Sequence, residues 1–210
     1  MGNKKYRILE KRVFDIIFSL FAIILLTPIM IIIAILIKLN SPEGTVLFKQ
    51  RRLGLDGKEF RVLKFRTMVP DAEVKLQEMF TENPKIQKEF EKDFKLKNDP
   101  RIISSIGSFL RKSSLDELPQ FFNSLMGTMS IVGPRPIINV ELKMYGKFQE
   151  KFLSIKPGIT GLWQVSGRND IDYDERVLLD MKYIDTDSFW GDIKIILKTV
   201  KVVIFRDGSY

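Results

Sequence analysis

The residues best suited to chemistry are two adjacent carboxylates, Asp116 and Glu117, which lie beside Arg111 and Lys112 in the segment RKSSLDELPQFFNSLMGTMSIVGPRP. The chain contains no histidine and no cysteine, which excludes the commonest general base, a cysteine nucleophile and a thiolate zinc site. An aspartate carboxylate can itself attack phosphorus, as in aspartyl-phosphate enzymes. The pattern therefore favours phosphoryl chemistry, with Asp116 as the candidate nucleophile.

Two helix starts would place these carboxylates. Ser114 followed by Glu117 matches a capping box, in which Glu117 bonds the amide of the cap residue. Pro119 favours a start at Asp116 instead, because proline is tolerated in the first turn of a helix. Under either start both carboxylates lie at the positive end of a helix, so we expect Asp116 to be ionised. The same amides would receive phosphate oxygens, and a divalent cation would relieve the repulsion between carboxylate and phosphate.

A set of cations predicts an anion pocket. In Gly133-Pro134-Arg135-Pro136, two prolines limit the backbone freedom of Arg135 and would present its guanidinium in a fixed direction, which suits a diphosphate. A rigid turn with a solvated arginine is the alternative. Lys64, Arg66 and Arg111 taken singly are typical of surface charges, and only together with Arg135 do they indicate a pocket.

A glycine-rich stretch, residues 156–169 (KPGITGLWQVSGRN), also carries Trp163 and Arg168. Such a stretch would hold a base or a sugar. Since glycines often serve only turns, a purely structural loop is an equal alternative.

These residues need positioning elements, and the first is an uncharged apolar run from Ile16 to Ile37, interrupted only by Ser19 and Thr27-Pro28. As one straight helix it would rise about 33 Å, enough to cross a hydrocarbon core of about 30 Å. Basic residues flank both ends: Lys4, Lys5, Arg7, Lys11 and Arg12 before it, and Lys38, Lys49, Arg51 and Arg52 after it. The positive-inside bias therefore points both ends toward the cytoplasm. We expect a re-entrant membrane helix broken at Thr27-Pro28, with a plain transmembrane span as the alternative.

The remaining chain, residues 41–210, is predicted to form one soluble domain at the membrane surface, after a membrane segment over residues 1–40. The net charge of +8 and pI near 9.5 suit nucleic acid, anionic lipid or phosphorylated substrates. The apolar run favours the last two, and no nucleic acid partner is expected.

The predicted fold class is α+β and predominantly helical. Its elements are a β-hairpin (Val46 to Arg52 and Lys58 to Met68, turning at Asp56-Gly57), surface helices over residues 71–97 interrupted at Asn83-Pro84, a short helix from Ser104 to Arg111, and a helix from Phe189 to Phe205. The last helix has an apolar stripe, which is typical of burial against the core. Its Phe189-Trp190 pair and its lysines, beside a membrane anchor, favour an amphipathic, interfacial placement instead.

The motifs together resemble the monotopic phosphoglycosyl transferases, also called bacterial sugar transferases. The resemblance covers nearly the whole chain through RVFDIIFS and its proline break, KQRRLGLDGKEFRVLKFRTM, NDPRI, SSLDELPQFFNSLMGTMSIVGPRP, KPGITGLWQVSGRN and LDMKYIDTDSFWGDIKIILKTVKVVIF. Thr27 stands where serine is common before the proline, a conservative change because both hydroxyls bond backbone carbonyls. The chain resembles the minimal catalytic form, without the extra N-terminal membrane helices of larger members.

The resemblance implies a two-step transfer at the cytoplasmic face of the bacterial membrane, with both termini cytoplasmic. Asp116 attacks the sugar-linked phosphorus of a UDP-sugar and expels UMP; polyprenyl (undecaprenyl) phosphate then takes the phosphosugar, which begins the synthesis of a glycoconjugate such as an exopolysaccharide. The resemblance also implies magnesium held at Asp116 and Glu117. Arg111 and Arg135 would counter phosphate charge, and Lys64, Arg66 and Arg168 are carried over as further phosphate ligands. An oligomer is compatible with it.

Two rival functions remain. A membrane-tethered basic binding module would recruit acidic lipid or nucleic acid without catalysis, but it gains nothing from carboxylates inside a basic cluster. A multi-span transferase that attacks directly, without a covalent intermediate, would need more than one apolar segment.

Overall fold

The computed structural model describes the backbone of residues 2–93, 96, 99–167 and 171–205, and these residues are predominantly helical. The helices are α1 (Gly2–Asn40), α2 (Ala72–Glu82), α3 (Pro84–Asp93), α4 (Ser104–Ser113), α5 (Gln120–Met126), α6 (Gln149–Leu153), α7 (Tyr173–Thr186) and α8 (Phe189–Phe205). The strands are β1 (Leu47–Leu53), β2 (Glu59–Phe65), β3 (Ser130–Val132) and β4 (Gly158–Thr160). Segments of 3₁₀ helix cover Leu55–Gly57, Leu115–Glu117, Asn139–Phe148, which is kinked at Gly146, and Trp163–Val165.

Most predicted elements are confirmed. Strands β1 and β2 pair antiparallel across the Asp56-Gly57 turn, where both residues have positive φ. The gap between α2 and α3 falls at Asn83, because the following proline disfavours helical backbone at the residue before it. Helix α8 has the predicted bounds, and α4 runs two residues past Arg111.

Helical backbone continues through Pro28 within α1, so the chain does not leave the helix at Thr27-Pro28, and the predicted break there, as a bend of the helix axis, stays a prediction. Proline removes only one hydrogen bond of the ladder, and the Thr27 hydroxyl donates to the Ile23 carbonyl at 2.6 Å within the same turn. Packing on both sides of the proline also supports the helix, since Ala22 and Ile33 are both buried. The re-entrant path through the membrane stays a prediction.

One face of α1 packs along the rest of the protein. Met30, Ile33 and Ile37 form a buried cluster with Phe65 of β2 and Leu110 of α4. The other face leaves its large apolar side chains exposed: Ile16, Ile17, Leu20, Phe21, Ile24, Leu25, Ile31, Ile32 and Ile35. Among the described residues, α1 from Ile8 to Asn40 is the one helix long and apolar enough to cross a membrane. Its exposed face therefore suits contact with lipid.

Polar side chains fix the N-terminal part of α1 to the domain. The Arg12 guanidinium donates to two carbonyls at the C-terminal end of α5, at 2.6 and 2.7 Å, where the helix dipole favours a cation. The buried Asp15 carboxylate accepts from the Ser130 hydroxyl at 3.0 Å and the Ile131 amide at 2.9 Å. The start of β3 is therefore attached directly to the membrane helix.

Helix α8 has one buried face and several exposed apolar side chains. Ile195 is buried in a cluster with Ile131, Val132 and Tyr183, so one face of the helix belongs to the core. Trp190 at the start of the helix is 72% exposed. The location of that exposed face at a lipid surface stays a prediction.

Candidate active site

The carboxylate pair lies in a tight connection between α4 and α5. Helix α4 ends with Ser114 in the left-handed conformation (φ 58°) as its C-cap, and its amide donates to the Arg111 carbonyl. Asp116 and Glu117 then form one 3₁₀ turn with Leu115 before α5. The predicted capping box is wrong, because Ser114 reverses the chain after α4 and its side chain makes no cap hydrogen bond. Neither predicted start is the start of α5, which begins at Gln120, and the 3₁₀ turn begins at Leu115, directly after Ser114.

Asp116 is a buried acid, only 9% exposed. Burial raises the pKa of its carboxyl to about 6, and the neighbouring Glu117 charge adds to this shift, while Lys64 and Arg111 oppose it. We expected helix amides to favour the ionised form, but desolvation dominates because the charge has left water. The carboxylate is still mostly ionised at neutral pH, and its charge depends on nearby cations.

The hairpin supplies the nearest cation. Lys64 on β2 donates from Nζ to Glu117 Oε1 at 2.6 Å, and both side chains are three-quarters or more buried. The structure therefore brings the predicted Lys64 to the carboxylate pair. Salt screens an ion pair this buried only weakly. The pair therefore holds Glu117 in place, and the Lys64 charge still lowers the pKa of Asp116.

Asn123 holds the hairpin in register with this turn, and the sequence did not reveal it. Its side chain, 1% exposed, accepts from the Leu63 amide at 2.8 Å and donates to the Arg61 carbonyl at 2.8 Å. The Asn123 side chain thus bonds two backbone groups of β2, as a neighbouring strand would. These bonds fix the position of β2, and so of Lys64, relative to Glu117. The sequence offered one indication of Asn123, an uncharged polar residue between apolar ones, but no motif spacing marks such a residue as structural.

Arg135 follows the end of β3, in a loop held by the glycine-rich segment. Strand β3 pairs with β4 in parallel. The Gly133 amide donates to the Thr160 carbonyl at 2.9 Å, and the Gly158 amide donates to the Pro134 carbonyl at 2.8 Å. A Cβ atom on Gly158 would lie 2.1 Å from the Gly133 nitrogen, so this glycine is required by the close approach of two backbones. The Gly133–Pro136 motif and the glycine-rich stretch, which are separate in sequence, therefore pack together as one structural unit.

Arg52 interacts electrostatically both with this loop and with Glu117. Burial, followed by the positive charge of Arg135, lowers the pKa of Arg52 to about 10, while Glu141 and, more weakly, Glu117 act in the opposite direction. Arg135 and Glu117 therefore both lie within electrostatic reach of Arg52. Arg135 itself is half-buried.

The other predicted cations differ in location. Arg111 is exposed in the last turn of α4 and lowers the pKa of Asp116. Arg66 is 5% exposed, and its guanidinium donates to the Ser41 hydroxyl at 2.7 Å and the Ser41 carbonyl at 2.6 Å. These contacts anchor β2 to the end of α1, so the structure does not bring Arg66 to the anion pocket. Arg168 lies outside the described residues.

The predicted magnesium ligands, Asp116 and Glu117, suit a shared ion. Magnesium is commonly held by one or two carboxylates together with substrate phosphates. Within the described part of the chain, no group of three or more acidic, histidine or cysteine residues could hold a metal. Because the Glu117 charge raises the pKa of Asp116, a cation beside both would be stabilised. The pair fits Mg²⁺ that takes further ligands from a bound phosphate.

Comparison with known proteins shows the family of the chain. A sequence model of the family described as bacterial sugar transferase matches residues 6–206. Since the match covers nearly the whole chain, the protein belongs to the bacterial sugar transferase family, as the motifs predict.

Several relatives are similar over most of the chain. The chain is 50% identical over 200 residues to the undecaprenyl-phosphate galactose phosphotransferase of Salmonella typhimurium, covering 95% of this chain and 41% of that protein. It is 41% identical over 210 residues to the UDP-glucose:undecaprenyl-phosphate glucose-1-phosphate transferase of Escherichia coli, covering 96% and 42%. It is 43% identical over 202 residues to the exopolysaccharide production protein ExoY of Rhizobium meliloti, covering 96% and 88%. The chain thus spans 41% and 42% of the first two proteins.

Proposed function

We propose that this protein transfers a sugar phosphate from a UDP-sugar to undecaprenyl phosphate, releasing UMP and forming undecaprenyl-diphosphate-sugar. The observation that carries the proposal is the buried Asp116 carboxyl between an acidic neighbour and two cations, Lys64 and Arg111. The relatives named for transfer to undecaprenyl phosphate support the donor and acceptor classes. Their names make UDP-galactose and UDP-glucose the first donors to test.

The transfer proceeds in two displacements. A carboxylate oxygen of Asp116 attacks the sugar-linked phosphorus of the donor, and the bond from that phosphorus to the oxygen of UMP breaks. An oxygen of undecaprenyl phosphate then attacks the same phosphorus. The acyl-phosphate bond breaks, and the Asp116 carboxylate is regenerated. The kinetics are therefore ping-pong.

The surrounding residues stabilise charge in both steps. Lys64 and Arg111 favour the ionised, nucleophilic form of Asp116, and Arg135 offers a guanidinium to the phosphates. Bound Mg²⁺, held by Asp116, Glu117 and the diphosphate, would neutralise phosphate charge. Glu117 also keeps Lys64 in place through the 2.6 Å ion pair.

The site works at the cytoplasmic face of the membrane, with α1 as a re-entrant anchor. The exposed apolar face of α1 and the basic residues at both of its ends support this placement. A hydrophobic acceptor would then reach Asp116 from the lipid, while the nucleotide sugar arrives from water.

The direct test measures UMP release from UDP-galactose and UDP-glucose, with and without undecaprenyl phosphate. Wild-type protein should release UMP and form a lipid-linked sugar, and Asp116→Asn should do neither while remaining folded. Normal transfer by Asp116→Asn would refute the assignment of the nucleophile. Lipid binding by the wild type without any transfer would favour the binding module.

A further inference from the structure

Arg52 is an arginine near the proposed site, and each of its three guanidinium nitrogens donates to a protein acceptor. Its Nε and Nη2 donate to Gln50 Oε1 at 3.1 and 2.7 Å, and its Nη1 donates to Glu141 Oε1 at 2.9 Å and to the Pro136 carbonyl at 3.3 Å. Both Arg52 and Glu141 side chains are 12% exposed. A guanidinium with this set of partners is a rigid bridge between the hairpin and the segment after Arg135.

The bridge secures the C-terminal side of the Arg135 loop. The Pro136 carbonyl belongs to the residue directly after Arg135, and one residue later the Leu53 amide donates to the Ile137 carbonyl at 2.9 Å. The N-terminal side is held by β4 through the Pro134 carbonyl. The backbone of Arg135 is therefore held on both sides, by β4 before it and by β1 after it.

Charge supports the same arrangement. Arg52 and Arg135 are close enough for their charges to repel, yet Glu141 neutralises Arg52 through the 2.9 Å contact. Because Glu141 neutralises Arg52, Arg135 is the one of these two arginines whose positive charge can act on a bound phosphate. Lysine at position 52 would keep the charge but could not bridge Gln50, Glu141 and Pro136, because an ammonium lacks the planar fork.

We propose that Arg52 is a positioning residue, which fixes the direction of the Arg135 guanidinium toward the donor diphosphate without touching substrate itself. This inference rests on the proposed function. On this proposal, replacing Arg52 changes donor binding only as long as Arg135 is present.

The experiment measures UMP release from the UDP-sugar at saturating acceptor. Arg52→Lys should raise the KM for the donor at least about tenfold and change kcat by less than about threefold, because binding and orientation of the diphosphate are impaired. Arg51→Lys is the matched control: it is the adjacent residue, its side chain is 75% exposed, and its kinetics should equal wild type.

A double-mutant cycle separates positioning from a direct role. In an Arg135→Gln background, adding Arg52→Lys should change KM by less than about twofold, since the residue on which it acts is gone. The same fold-change in both backgrounds, or Arg52→Lys kinetics equal to those of Arg51→Lys, would overturn the inference. A wild type that releases no UMP from any UDP-sugar overturns the proposed function itself.

A second variant covers the case in which Arg52→Lys does not fold. Gln50→Met removes the acceptor of two Arg52 donors without changing charge. It should raise the donor KM about threefold, with a melting temperature near that of wild type. An unchanged KM in a folded Gln50→Met protein would contradict the proposal.

Discussion

Lys64 Nζ and Glu117 Oε1 lie 2.6 Å apart, although 53 residues separate them in sequence. The contact joins the β-hairpin to the 3₁₀ turn that carries Asp116. It places one positive charge beside two adjacent carboxylates, and the balance of burial, which raises the pKa of Asp116 most, with the charges of Lys64, Glu117 and Arg111 sets the ionisation of Asp116. The predictions below follow from that balance and from the packing that maintains it.

Through Asp116, the free energy of unfolding should fall as pH rises, whereas most acids make it rise. Its folded pKa of about 6 lies above the ordinary aspartate value of 3.8, so between these values the folded state binds more protons and stability falls as pH rises. Asp116→Asn removes this loss and should stabilise the protein at pH 7.5 by up to about 3 kcal/mol. Urea unfolding at pH 7.5 and about pH 4 measures it. The gain should disappear at the lower pH, and a destabilised Asp116→Asn at pH 7.5 would contradict the burial argument.

The pH dependence of UMP release should report the same carboxyl. We expect kcat/KM to rise as pH increases through about 6, because the nucleophile must lose its proton. Lys64→Gln removes a charge that lowers the pKa of Asp116, and Glu117→Gln removes one that raises it. The midpoint should therefore move up in Lys64→Gln and down in Glu117→Gln. Shifts in the same direction would show that another group titrates.

Asn123 should matter for stability out of proportion to its size. Asn123→Ala leaves the partly buried hydrogen bonds to the Leu63 amide and the Arg61 carbonyl without their side-chain partner, which should cost about 1–3 kcal/mol. Chemical denaturation of the variant measures this cost. The exposed Asn139 provides the control, and Asn139→Ala should change the free energy of unfolding by less than about 0.5 kcal/mol. Equal effects of the two substitutions would remove Asn123 from its proposed role.

Gly158→Ala should disrupt the loop that carries Arg135. Its Cβ would meet the Gly133 nitrogen at 2.1 Å and the Thr160 carbonyl oxygen at 2.6 Å, and neither backbone group can move without breaking β3 from β4. We expect a loss of more than about 3 kcal/mol. In Gly191→Ala the new Cβ meets only the Ser188 hydroxyl, which can rotate away, so thermal melting should distinguish the two variants clearly.

The re-entrant path of α1 is testable because the chain has no cysteine. Glu10→Cys and Lys49→Cys place single thiols at exposed positions before and after the apolar face. In intact cells both should resist a membrane-impermeant maleimide, and in inside-out vesicles both should react. Ile24→Cys should stay unreactive in both. Labelling of one end from each side would establish a transmembrane span instead.

Local chemistry made part of this structure predictable. The Asp56-Gly57 turn and the apolar spacing of α8 specify their elements through nearby residues alone, and the carboxylate pair was recognisable because histidine and cysteine are absent. The left-handed Ser114 was not predictable, because the ending of α4 depends on how it packs against α1 and β2. The burial that raises the pKa of Asp116 depends on the same tertiary packing.

Two further features depended on contacts distant in sequence. Strands β3 and β4 have three residues each, too few for a periodic pattern, and pair across 28 positions. Arg66 and Arg52 look like other surface cations in sequence, yet one anchors the end of α1 and the other bridges to Glu141. Charge type was visible in the sequence, whereas the partner of each charge was not.

The most direct measurement is the intact mass of the protein after incubation with a UDP-sugar and Mg²⁺ in the absence of undecaprenyl phosphate. We predict a single added sugar phosphate on Asp116, accompanied by one equivalent of UMP, and neither in Asp116→Asn. Addition of undecaprenyl phosphate should then remove the modification. Transfer to the lipid with an unmodified protein, and no UMP before the lipid is added, would contradict covalent catalysis by Asp116.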